Sequence, residues 1–175
     1  MPKHLTSIIL TSSILIIGCS SNTGTKVTFS DSTRLIYQGN SAAMMSMIGT
    51  MGIAIGVAID EGIAKEVEAN LEPQNGSKAI LTNCLNFQSI QHPNSMLEEI
   101  NIEQVLLIPK DNGFYITING VAKSEGELVT FTEGKREWGQ SAQLTTLKTD
   151  ANLTVTLLDS ACEGLWQSLL KNVTK

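Results

Sequence analysis

The clearest pattern lies in the second half of the chain, where Phe114, Ile116, Ile118 and Ala122 alternate with Tyr115, Thr117, Asn119 and Lys123. Such period-two alternation predicts a half-buried strand. Glu103 to Ile108 reads as an apolar strand before it, and "PKDNG" as the intervening turn, which together predict an antiparallel hairpin. Val27 to Phe29 and Leu35 to Gln38 are short strand-like pieces, and Leu128 to Thr132 and Trp138 to Leu147 read as further strands joined through "EGKR". Ala151, Leu153, Val155 and Leu157 alternate with Asn152, Thr154 and Thr156, which predicts a last strand. Ser160-Ala161-Cys162-Glu163 then matches a capping box, opening a helix with Cys162, Leu165, Trp166, Leu169, Leu170 and Val173 inward. Ala79 to Ile90 fits both periods, and strand is the favoured reading.

Helical spacing dominates the earlier region. Ile59, Ile63, Val67 and Leu71 recur every four residues while Glu61, Lys65, Glu66, Glu68 and Glu72 fall elsewhere, and Pro73 and Gly76 in "EPQNGS" end the pattern. With Ser41 as N-cap, Ser41 to Leu71 is expected as one helix about 46 Å long. The fold class expected is α+β: a long N-terminal glycine-rich helix and a C-terminal helix packed on a mainly antiparallel sheet.

The apolar half of that long helix is unusual. Ala42 to Ile59 is a run of 18 uncharged residues, and Gly49, Gly52, Gly56 and Gly62 fall in or just after it. Each glycine in a helix interior costs about 1 kcal/mol relative to alanine. Gly52 and Gly56 form a small-xxx-small pair, and Ala54 and Ala58 belong to a second small-residue row ending at Gly62. Gly49, Gly52, Gly56, Gly62, Ala54 and Ala58 are therefore the candidate helix-packing positions. Three roles fit: packing on the chain's own sheet, self-association in or against a membrane, or a broken, hinge-like segment.

The N-terminus supplies a location. Lys3 and His4 precede an apolar run from Leu5 to Ile17, too short for a mature membrane-spanning helix but ordered like a secretory signal. It ends in Ile16-Ile17-Gly18-Cys19, which resembles a bacterial lipobox. The resemblance implies a signal peptide over 1–18, cleavage before Cys19, and acylation of Cys19 (diacylglycerol and palmitate-type chains). Several chains on one residue anchor stably where one does not. By the same family rule, Ser20 in place of Asp implies the Gram-negative outer membrane, with the domain facing the periplasm. Residues 19–26 read as a lipidated tether and 27–175 as a single domain, a suitable length for one core. The layout of lipobox, glycine-rich apolar stretch and strand-rich tail is loosely similar to the surface-exclusion lipoproteins of conjugative plasmids, with no residue-level motif to carry over.

Loss of Lys3 with the signal leaves 11 basic against 17 acidic residues, a net charge of −6, which gives no electrostatic footprint for nucleic acid. With Cys19 lipidated, Cys84 and Cys162 remain, and an oxidising compartment favours their bridging over two buried thiols. The mature chain has one histidine, His92, read as a loop residue, so no relay or histidine pair for a metal is available. Asp60-Glu61 and Glu98-Glu99 read as solvated charge, because adjacent helical residues diverge. No nucleophile elbow, phosphate loop, dinucleotide fingerprint or zinc-protease motif occurs, so no catalytic residues, metal ligands or cofactor are assigned. Trp166 is at core spacing, and Trp138 in "KREWGQ" is read as buried, with an exposed contact as its alternative. The expectation is a non-enzymatic, lipid-anchored envelope protein that self-associates or binds an envelope protein partner through 41–62. The alternatives are a monomeric module for a hydrophobic or peptide ligand between helix and sheet, and, more distantly, a hydrolase built on carboxylates.

Overall fold

The computed structural model describes residues 24–110, 113–136 and 144–173. The lipobox, Cys19, Trp138 and the centre of the "PKDNG" turn lie outside them. The described residues form an α+β fold: strands β1 (Lys26–Phe29) and β2 (Leu35–Tyr37), helices α1 (Ser41–Met45), α2 (Thr50–Asn70) and α3 (Gly76–Gln91), strands β3 (Leu97–Lys110), β4 (Gly113–Ser124) and β5 (Glu127–Arg136), and helices α4 (Leu144–Thr149) and α5 (Ala151–Val173).

The sheet is mixed. β3, β4 and β5 form an antiparallel meander, while β1 and β2 pair in parallel, one after the other, along the same edge of β3. Where the chain leaves β1 and re-enters as β2, the register of β3 on β4 shifts between Ile102 and Gln104. There Thr33 Oγ1 donates to the Ile102 carbonyl oxygen at 2.8 Å, and Ser30 N–H donates to the same oxygen at 3.0 Å. The tether read at 19–26 ends earlier than expected, since Lys26 opens β1. Thr25 N–H donates to Ser89 Oγ of α3 (2.8 Å) and Thr25 Oγ1 to the Leu97 carbonyl oxygen (2.9 Å).

The alternation along β4 gives a buried face of Phe114, Ile116, Ile118 and Ala122. This face joins one core with Leu81 and Leu85 of α3 and Leu158, Leu165, Trp166 and Leu169 of α5. Four expectations are overturned. "EGKR" is not a turn but the end of β5, because β4 and β5 already reverse at Glu125 (φ 49°) and Gly126 (φ 83°), a pair in the left-handed conformation that a two-residue hairpin needs. Leu144 to Leu147 is helical. Ala79 to Ile90 belongs to α3, whose buried line Ser77, Ile80, Leu81, Leu85 and Ser89 has helical spacing. Ala151 to Leu157 is the start of α5, not a strand: Thr154, Leu157, Leu158, Ala161, Cys162, Leu165, Trp166 and Leu169 make one continuous buried stripe. The capping box at Ser160 therefore sits in mid-helix, and the helix start is capped instead by Asp150, whose Oδ1 accepts from Asn152 N–H at 3.0 Å.

The α2–α3 junction is tied by one side chain. Glu68 Oε1 accepts from both Ser77 N–H (2.9 Å) and Ser77 Oγ (3.1 Å), placing a carboxylate at the N-terminus of α3, where the helix dipole favours it. Cys84 on α3 and Cys162 on α5 are joined in a disulfide with an S–S distance of 2.02 Å and a sequence separation of 78.

An exposed apolar hairpin as the candidate functional site

Ser41 to Leu71 is not one helix. α1 runs for five residues, a 3₁₀ turn covers Ser46–Ile48, and Gly49 takes φ +83°, a conformation that glycine reaches at no steric cost. The chain then reverses into α2, so that α1 lies back along the first turns of α2. Ser41 is the first helical residue rather than the cap; Asn40 holds the cap position without a side-chain hydrogen bond.

The reversal accounts for two of the glycines. A Cβ on Gly52 would collide with the Met45 carbonyl oxygen, and one on Gly56 with the backbone of Ser41 and Ala42. Both are buried while every other residue from Thr50 to Ile59 is exposed. They are thus the contact line on which α1 sits, close enough to exclude any side chain. Gly62 has open space where a Cβ would stand. Ala54 and Ala58 face outward, among the isoleucines.

What this hairpin shows to its surroundings is apolar on almost every side. Met44 is 75% exposed, Met47 93%, Ile48 67% and Met51 74%, and Ile53, Ile55, Val57 and Ile59 are also exposed. A helix that is apolar all round normally lies inside a protein core or a membrane. Contiguous exposed apolar surface of this kind marks a contact site. At 1.5 Å per residue, residues 50–59 of α2 extend about 15 Å, half the thickness of a bilayer's hydrocarbon core. Among the described residues, no helix is long and apolar enough to cross a membrane. The hairpin becomes charged at Asp60 and Glu61, and α2 then enters the core through Ile63, Ala64 and Val67.

The remaining sequence-predicted positions lie elsewhere. His92 lies in the loop just past α3, as its C-cap, and is tied down there: the indole N–H of fully buried Trp166 donates to its Nδ1 at 3.2 Å, closing that end of the core. Glu98 pairs with Lys123 at 2.6 Å, and Glu99 with Lys26 at 3.0 Å, on the sheet surface. Nothing brings His92, the disulfide or these pairs to the hairpin. The break falls under the third role weighed for this segment, a broken, hinge-like one; what the sequence did not locate is the reversal at Gly49, a glycine at the midpoint of an apolar run. No family model, curated protein or solved structure matches the chain.

Proposed function

We propose that this is a lipid-anchored outer-membrane protein, acylated at Cys19 and facing the periplasm, which works without catalysis as a structural or assembly component. Its contact surface is the hairpin within 41–62, and its first partner is another copy of the chain. The observation that carries this reading is the exposed apolar shell of α1 and the first half of α2, uncharged from Ala42 to Ile59. Leaving so many large apolar side chains in water is costly, and burial against a like surface recovers about 25 cal/mol per Å² removed from water. Pairing of this patch with the same patch of a second copy would give a closed two-fold contact. The glycines serve the surface indirectly: by letting α1 lie flat on α2 they hold both helices in one rigid apolar unit.

Chemical cross-linking in native membranes tests the reading. Discrete oligomers, lost when Ile53 and Ile55 are replaced by glutamate, are expected. A strict monomer in intact membranes rules out the self-association. Fatty-acid incorporation that persists in Cys19→Ala rules out the anchor.

A further inference from the structure

Apart from the hairpin, a groove of about 310 Å³ runs between β2 and the middle of α2. Its aliphatic lining comes from Leu35, Ile36, Val57 and Ala64, and Tyr37, Asp60 and Glu68 also line it. Gly39 brings the chain against both Tyr37 and Asp60: a Cβ there would lie 2.5 Å from Tyr37 Cε1 and 2.6 Å from Asp60 Oδ1, so any side chain at this position would displace the phenol ring or the carboxylate.

The charges around the groove are unevenly satisfied. The two cations at its rim, Arg34 and Lys65, both engage Glu61, at 3.4 and 3.3 Å. Two carboxylate oxygens of the lining, Asp60 Oδ1 and Glu68 Oε2, are sealed from solvent without a hydrogen-bond partner among the described residues; Glu68 is held through its Oε1 by Ser77, whereas no hydrogen bond or ion pair engages Asp60. Gly39 covers the Asp60 oxygen, but Asp60 as a whole is only half-buried, so a cationic donor in the groove meets the exposed part of the side chain. Burial, with the charge of Asp60 as the lesser cause, holds the Tyr37 phenol above its ordinary range, so it stays neutral. Gln38 N–H donates across to the Leu107 carbonyl oxygen on β3 at 2.9 Å, so strand alternation turns the peptide groups of Leu35 and Tyr37 toward the outer edge of β2.

We infer that the β2–α2 groove is a binding site for an alkylammonium group. The ammonium sits on the Asp60 carboxylate with the Tyr37 phenol oxygen as second acceptor, and the methylenes lie along Leu35, Val57 and Ala64. A free alkylamine and a lysine side chain share this chemistry. A lysine carried on an extended segment would in addition meet the N–H and C=O groups of Leu35 and Tyr37 that point away from β3, as an added strand does.

The test is a 15N–1H NMR titration of the full chain in zwitterionic detergent with n-butylammonium, using n-butanol as the neutral isostere. Saturable shifts confined to residues 34–39 and 57–68 are expected, with a dissociation constant on the order of millimolar for so small a probe. Butanol should bind at least about tenfold more weakly, as should butylammonium to Asp60→Asn, given the worth of a hydrogen bond to a charged group. Absence of saturable shifts in the wild type, or equal binding of butanol and butylammonium, overturns the proposal without recourse to any variant. Undiminished binding to Asp60→Asn also overturns it. A third arm, N-acetyl-Val-Lys-Val-amide, separates the sources: tighter binding than butylammonium, with the Leu35 and Tyr37 amides protected from exchange, assigns the site to a lysine on a partner strand. Equal or weaker binding by the peptide assigns it to a free amine.

Discussion

Replacing Met44, Met47 and Met51 together by glutamine separates surface function from fold more sharply than any other change. Glutamine has nearly the length and the helix propensity of methionine, so the helices themselves should be indifferent. In the isolated chain these three side chains are largely in water already, and substitutions at such positions usually move stability by no more than about 0.5 kcal/mol. The association, by contrast, should suffer. Their combined exposure amounts to about two and a half whole methionine side chains. Full burial of one is worth about 1.5–3 kcal/mol, so the methionines put roughly 4–7 kcal/mol of gross contact energy at stake per chain. If the contact covers only half of that surface, about 2–3 kcal/mol is lost per chain and about 4–6 kcal/mol per two-fold dimer, which weakens the dissociation constant roughly 10³- to 10⁴-fold. Sedimentation velocity of the full chain in detergent, over a hundredfold concentration range, reads the dissociation constant. Thermal unfolding of the same samples reads the fold. Unchanged association with an unchanged melting temperature would refute the assignment of the hairpin as the contact surface. Association and melting temperature falling together would show instead that the methionines hold the monomer.

The glycines give a contrast within one helix. Gly56→Ala should cost about 1–3 kcal/mol of local packing against Ser41 and Ala42, more than the gain of about 1 kcal/mol in propensity, whereas Gly62→Ala, which meets nothing, should stabilise by up to about 1 kcal/mol. Amide exchange of residues 41–48 and the melting temperature check this, and equal behaviour of the two variants would refute the reversal at Gly49. Removing the bridge with Cys84→Ser and Cys162→Ser should cost about 4 kcal/mol by the loop-entropy model for a separation of 78 residues. Denaturation midpoints with and without reductant check it; coincident midpoints would mean that the thiols are free.

Local alternation was the most legible part of the chain. β4 reads correctly because every second residue from Phe114 to Ile118 is a large aliphatic or aromatic one, and nothing competes with that signal. α3 reads ambiguously because its buried line begins and ends on Ser77 and Ser89, which no count of apolar residues includes. α5 misleads for a related reason. Thr154 is fully buried on the helix stripe, yet between Leu153 and Val155 it looks like the polar half of a strand, and the caplike residues at Ser160 then suggest a fresh start. The parallel pairings of β1 and β2 depend on partners some seventy residues away, so their direction is not written locally. The small-residue row in α2 was visible, but a row of glycines does not state its partner. Gly49 made that partner the preceding turn of the same chain.

The two parallel pairings also give the domain a direction. Lys26 lies opposite Glu99 and Tyr37 opposite Leu107, so β1 and β2 carry the chain eight residues along β3, about 26 Å, before it turns into the hairpin. Entry and hairpin therefore belong to opposite ends of the sheet. With Cys19 as the anchor, as proposed, the six residues 19–24 that precede buried Thr25 would reach at most about 20 Å when fully extended. A domain standing on such a tail would hold its apolar tip away from its own leaflet, as an arm stretched toward whatever lies deeper in the envelope.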